Sequence, residues 1–168
     1  MTTFALRNVK LRPGEEFVTA LQVELPSFAY GGERYASVAP ETEAKLVIDR
    51  TLSGTMYLLR LDARLHGPCY RCLGEALLDV PINAREYQDE KPDDPELETP
   101  YVNDNELDVS GWARDAIALA LPEKILCRPD CAGLCPQCGK NLNDEPHTHE
   151  EPKADSRWGA LEALRDEL

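Results

Sequence analysis

The sequence is short of positive charge: 18 Lys and Arg stand against 31 Asp and Glu, for a net charge of −13. Affinity for phosphate comes from clustered Lys and Arg, so this balance excludes a broad, non-specific grip on nucleic acid and favours a basic partner. Aromatic residues make up only 7%, so a core must be built mainly from Leu, Val, Ile and Ala. No apolar run approaches the about 18 residues that a membrane-spanning helix needs. The start, MTTFALRNVKLRPGEEF, lacks a charged opening followed by an apolar stretch. It is not a secretory signal, which predicts a chain kept in the reducing cytoplasm. H-E-x-x-H, HxE with PCxxC, GxSxG, the P-loop and GxGxxG are all missing, and no carboxylate pair stands out for acid–base work. The expectation is a protein that is not an enzyme and takes no small-molecule substrate. No repeat of about 20–50 residues recurs, which excludes a solenoid.

What is present is patterned. At 168 residues the chain amounts to one domain, or one domain with a small appendage. Residues 16–25 alternate, with Phe17, Thr19, Leu21, Val23 and Leu25 on one face. Residues 44–50 repeat this with Leu46 and Ile48. The clearest strand is 55–66, where Tyr57, Leu59, Leu61, Ala63 and Leu65 oppose Arg60, Asp62, Arg64 and His66. Ala76, Leu78, Val80 and Ile82 form another such face. A period of two over such lengths predicts half-buried antiparallel strands. Residues 88–106 hold eight acids, one lysine and three prolines, the composition of a solvated loop or linker. A helix is expected next, capped by Asp108 or Ser110, with Val109, Trp112, Ala113, Ala116, Ile117 and Ala120 on one broad face and Pro122 bounding its end. A second, short helix is expected from Ser156, with Leu161, Leu164 and Leu168 on one side. The predicted fold is α+β: an antiparallel sheet able to curl, one packed helix, and a zinc-bound C-terminal lobe. The predicted divisions are a mainly β region over 1–87, the acidic segment 88–106, and a helix with a Cys/His-rich region over 107–168.

The chemistry lies in CRPDCAGLCPQCGKNLNDEPHTH (127–149), which holds Cys127, Cys131, Cys135, Cys138, His147 and His149. A second CxxC, Cys69–Cys72, follows the best strand. A two-residue gap lets one tight turn aim two sulfurs at one ion, and Zn²⁺ takes four such ligands tetrahedrally. A thioredoxin-like role for Cys69–Cys72 is disfavoured, because Gly74 and another strand pattern follow rather than a helix. The eight ligands allow two partitions. In the first, Cys69 and Cys72 join Cys127 and Cys131, while Cys135 and Cys138 join His147 and His149. In the second, Cys127, Cys131, Cys135 and Cys138 form one all-thiolate site and the upstream pair stays free. The first leaves no cysteine over and closes a long loop, and it is preferred. The two imidazoles, two residues apart in extended chain, can reach one ion; an HxH in an acidic stretch is also common as plain polar loop. His66 is read as a surface strand residue. Thiolate-rich sets are closed and structural rather than catalytic.

CYRCL (Cys69–Leu73), LALP (Leu119–Pro122), LCRPDCAGLCPQCGKNLN (Leu126–Asn143) and DSRWGALEAL (Asp155–Leu164), in this order, resemble the YceD family, named for accumulation of large-subunit ribosomal RNA and with plastid relatives. The resemblance covers most of the chain and is strongest over 55–164. His147-Thr148-His149 stands where members often carry Cys-x-Cys, and Ser156 takes the proline slot of the family's Asp-Pro-Arg segment. Some members lack most of these cysteines, which implies that the metal props the fold. The resemblance implies a non-enzymatic role in ribosome biogenesis, supporting large-subunit ribosomal RNA maturation or accumulation. It supplies no catalytic residues. An acidic chain fits a basic ribosomal protein or an RNA-processing protein as partner. Direct RNA contact through Arg60, Arg64 and Arg71 stays open. The alternative is a zinc–thiolate redox sensor, in which oxidation releases the ion and opens the chain.

Overall fold

The computed structural model describes residues 1–91 and 97–149. The chain divides into two compact units, Met1–Cys131 and the part from Ala132 onward. The helix expected from Ser156 lies outside the described residues.

In the first unit the elements run β1 (Thr3–Ala5), a 3₁₀ turn (Leu6–Asn8), β2 (Glu16–Glu24), β3 (Phe28–Tyr30), β4 (Glu33–Ser37), β5 (Glu41–Arg50), β6 (Gly54–Pro68), β7 (Glu75–Asp89), β8 (Val102–Asn103), β9 (Glu106–Asp108) and α1 (Val109–Ala120). Six strands form one antiparallel sheet with β6 as its spine. On one side β6 pairs with β5 over Thr55–Leu61 and then with β4 at Leu65 and His66. On the other it pairs with β7 along its whole length, from Gly54↔Asp89 to Pro68↔Glu75. β2 lies outside β5, and β3 outside β4. A smaller sheet has the order β1–β9–β8. Among the described residues neither sheet closes into a barrel.

The alternation expected for β6 holds. Tyr57, Leu59, Leu61, Ala63 and Leu65 are buried, while Arg60, Asp62, Arg64 and His66 are exposed. A period of two turns every second side chain inward, so one strand supplies five residues to a core that also takes Val23, Leu46, Ile48, Val80 and Ile82. Helix α1 adds Val109, Trp112, Ala113 and Ile117 to the same core. Asp108 caps it: its carboxylate accepts the Gly111 amide at 2.9 Å, satisfying a first-turn donor. Ser110 instead accepts the Thr2 amide and donates to the Glu24 carbonyl, tying α1 to β2. Of the expected apolar face, Ala116 is only half-buried and Ala120 is exposed.

Several strands differ from the expectation. β7 runs on to Asp89, held by its register with β6, beyond the alternating stretch, which Glu86 and Gln88 interrupt by placing polar residues in the inward register. Gln88 uses that position to accept the Thr99 amide. The short β8 and β9 lie at the end of the acidic segment. They are joined by Asp104 and Asn105, both in the left-handed region (φ 50° and 61°), the geometry of a tight hairpin turn. β7 pairs with no strand on its far side among the described residues. Pro81 sits mid-way along it, as an edge strand allows, since the missing N–H then faces the open side.

Tyr35 of β4 lies across Gly67 near the end of β6. It is buried, and its hydroxyl donates to the Pro68 carbonyl at 2.9 Å. A Cβ on residue 67 would fall 2.2 Å from Tyr35 Cδ1. Gly67→Ala is therefore expected to lower unfolding stability by about 1–3 kcal/mol, measured by chemical denaturation. An unchanged midpoint would show that the ring has room to move.

Candidate metal centres

The first centre begins where β6 ends. Cys69 opens a tight turn in which its amide donates to the Gly74 carbonyl at 2.7 Å and its carbonyl accepts the Leu73 amide at 3.0 Å. Leu73 takes a left-handed conformation (φ 59°) to close that turn, so the Cys69 and Cys72 sulfurs point the same way. Cys127 and Cys131 come from the segment after α1. Two backbone ties hold the parts together: the Tyr70 amide donates to the Ile125 carbonyl at 2.8 Å, and the Arg71 guanidinium to the Cys131 carbonyl at 2.8 Å. The four sulfurs lie within 4.8 Å of one another. Cys69 and Cys131 are 3.8 Å apart, and Cys72 and Cys127 are 3.7 Å apart. A disulfide needs about 2.05 Å. A tetrahedron with metal–sulfur bonds of about 2.3 Å has edges of about 3.8 Å. The donor set fits a four-coordinate metal ion.

The second centre is built the same way within the second unit. The Cys135 amide donates to the Lys140 carbonyl and its carbonyl accepts the Gly139 amide, both at 2.8 Å. Gly139 supplies the left-handed residue (φ 71°). The two CxxC turns thus share one backbone pattern, with glycine in the special position of one and leucine in that of the other. Cys138 Sγ lies 3.1 Å from His147 Nε2. The His147 and His149 rings meet edge-on at 4.8 Å between centroids. His147 Nδ1 donates to the Glu145 carbonyl at 2.7 Å, which fixes the ring and leaves Nε2 free as a ligand. Cys135, Cys138, His147 and His149 offer donor atoms within 4.8 Å of one another.

All eight ligand candidates read from the sequence therefore fall into two sets of four. Cys127 and Cys131 go with Cys69 and Cys72 rather than with Cys135 and Cys138. The groups that sequence reasoning did not name are Arg71 as a clamp on Cys131, the Glu145 carbonyl behind His147, and Leu73 in its unusual conformation. Arg60 and Arg64 share the outer face of β6, whereas Arg71 is committed to Cys131.

Residues 58–165 match the family described as large ribosomal RNA subunit accumulation protein YceD. The chain belongs to the YceD family. Both candidate centres fall inside the matched region. An uncharacterized protein of Mycobacterium tuberculosis is 37% identical over 122 residues, covering 69% of this chain and 58% of that protein. The chain thus spans little more than half the length of that relative. An uncharacterized protein of Mycobacterium leprae is 30% identical over 168 residues, covering 94% of this chain and 75% of that protein. A Zea mays protein named as a chloroplastic homologue of the same large ribosomal RNA subunit accumulation protein is 48% identical over 40 residues, covering 24% of this chain and 14% of that protein. No solved structure matches the chain. Among the described residues of this YceD member, no helix is long and apolar enough to cross a membrane.

The thiols are not alike. Burial opposes the Cys69 thiolate, but the Cys72, Cys127 and Arg71 amides and the Cys72 thiol outweigh it and bring the pKa down to about 6. Cys135 also falls to about 6, chiefly through the Cys138 amide and against the cost of burial. Cys127 is pushed up to about 12 by loss of water around its sulfur, then by its bonds to the Cys131, Cys72 and Cys69 thiols. The Glu145 carbonyl, followed by Cys135, raises His147. Each set therefore holds one ready thiolate. In the first set Cys72 and Cys127 are raised and hold their protons beside the Cys69 thiolate, because anions this close repel.

Two predictions follow for this YceD chain. Leu73 is 61% exposed and strained, so Leu73→Gly should raise stability by about 1 kcal/mol. A lower denaturation midpoint would mean that the side chain contributes to the fold. In the metal-free chain, Cys69 has a folded pKa of about 6, below the usual thiol value near 8.5. Its contribution to stability is full above that value and disappears as pH falls through about 6. Thiolate absorbance and the denaturation midpoint should fall together across that window. Thiolate absorbance that does not change between those limits would contradict the assignment.

Proposed function

We propose that this chain is a non-enzymatic, zinc-binding accessory factor of ribosome biogenesis that supports maturation or accumulation of large-subunit ribosomal RNA. Membership of the YceD family and the name of the family and its plant homologue support the process. The observation that carries the zinc reading is the gathering of eight soft donors into two complete sets, one of four sulfurs and one of two sulfurs and two imidazoles. Thiolate and imidazole sets select zinc over magnesium or calcium, and four protein ligands leave no open position for water or substrate. When bound, the ion supplies neutralising charge and a rigid crosslink. The chain's own residues do the rest: the two CxxC turns aim the sulfurs, Arg71 secures the Cys131 end, and Glu145 orients His147. The net charge of −13 makes a basic ribosomal or RNA-processing protein a better partner than bare RNA.

The expected metal content is about two zinc ions per chain, by elemental analysis. Cys69→Ser and Cys138→Ser should each reduce it by about one. Captured from lysate, the wild-type chain should enrich ribosomal proteins or RNA-processing factors. A folded chain without zinc overturns the metal assignment, and capture of neither partner class overturns the ribosomal one.

A further inference from the structure

Beside the first centre lies a small pocket with a chemistry of its own. Its volume is about 230 Å³, and its walls include Tyr30, Tyr35, Tyr70, Leu73, Glu33 and Glu123. It is smaller than the about 300–1,000 Å³ of ordinary small-molecule sites, and suits a single side chain. Three chain segments converge on it: the β3–β4 hairpin, the Cys69–Gly74 turn and the stretch after α1. Each is pinned. Tyr30 donates its hydroxyl to the Pro122 carbonyl at 3.1 Å, Tyr35 donates to Pro68, and the Tyr70 amide is held by Ile125. Tyr30 and Tyr35 pack edge-on at 6.4 Å between centroids.

Two tyrosine hydroxyls are thus committed to backbone carbonyls, and the rings of Tyr30, Tyr35 and Tyr70 line the pocket. Besides the sulfur of Cys69, which belongs to the first centre, the charged groups on the walls are the carboxylates of Glu33 and Glu123, and neither forms an ion pair among the described residues. Aromatic faces and carboxylates both attract a cation. Lys124, which is not part of the walls, already lies 5.3 Å over the Tyr70 ring. An anion would meet like charge there. Tyr70 and Leu73 stand at the mouth, 62% and 61% exposed. Leu73 keeps a bulky apolar side chain in a left-handed conformation where the equivalent residue of the other CxxC turn is glycine. Strain of this kind persists where a side chain has a use.

We propose that this pocket receives an arginine or lysine side chain of a basic partner protein, with Leu73 against the partner's adjoining apolar surface. The proposal rests on the reading of the chain as a partner-binding factor, and it adds the point of attachment. Because Tyr70 and Leu73 sit on the turn that carries Cys69 and Cys72, the metal clasp sets one wall of the pocket.

The test is titration of the zinc-loaded, isotope-labelled full chain with a short peptide carrying arginine beside leucine, followed by nuclear magnetic resonance. A second peptide carries citrulline, which keeps the shape and removes the charge. Amide shifts should concentrate at Gly31, Tyr70 and Leu73. The citrulline peptide and the variant Glu33→Gln/Glu123→Gln should each bind about ten-fold more weakly. Leu73→Gly should weaken binding while leaving the fold at least as stable, an outcome that a merely structural role would not give. Equal binding of both peptides, equal binding by the carboxamide variant, or no shifts at these residues overturns the proposal. Peptide failure with zinc content intact counts against the pocket alone. Absence of zinc with arginine-dependent binding intact counts against the clasp alone.

Discussion

Sulfurs 3.8 Å apart join residues 62 positions apart in the chain, Cys69 and Cys131. A crosslink of that span encloses β7, β8, β9 and α1. In the chain-entropy picture, closing a loop of this length removes about 4 kcal/mol of freedom from the unfolded state. The folded chain has already brought the ends together with the Tyr70–Ile125 and Arg71–Cys131 hydrogen bonds. The thiols crowd into a space where they cannot all ionise unaided, and a cation relieves that conflict. The sheet and helix of the first unit rest on their own apolar core, and an ion held by the four sulfurs would secure the end of β6 against the segment after α1.

The sequence made the spine of the sheet readable. In β6 every inward residue from Tyr57 to Leu65 is apolar and every outward residue from Arg60 to His66 is polar, so alternation alone locates it. β3 and β4 leave no pattern in the sequence because three to five residues are too few to show a period. Their turn was there to be read, since Gly31 and Gly32 both adopt positive φ. Asp104-Asn105 joins β8 to β9 in the same manner. The second half of β7 is hidden by Glu86 and Gln88, polar residues in inward positions, the latter accepting the Thr99 amide.

At the candidate metal centres, spacing located the CxxC turns, and a count of ligands favoured the grouping that the side chains adopt over an all-thiolate set of Cys127, Cys131, Cys135 and Cys138. Nothing local in the sequence could bring Cys72 to Cys127, 55 residues away; that follows from the register of β6 and the path of α1. The Glu145 carbonyl behind His147 was equally invisible, because a backbone acceptor leaves no trace in residue identity. Leu73 was misleading in the opposite sense. Gly74 beside it looks like the residue that makes the turn, yet the leucine bears the left-handed geometry. The resemblance to the YceD family and the matched region 58–165 converge on the same residues.

Pro81 has a consequence for life in a crowded cell. β7 spans fifteen residues and, among the described residues, pairs with no strand on one side. An unbroken border of that length would invite another polypeptide to zip alongside and begin a fibril. A ring that cannot donate interrupts the border near its centre, leaving two short stretches, neither long enough to template extended growth. A single imino acid thus serves as a guard against runaway stacking, while the β6 side of the same strand keeps its full complement of partners.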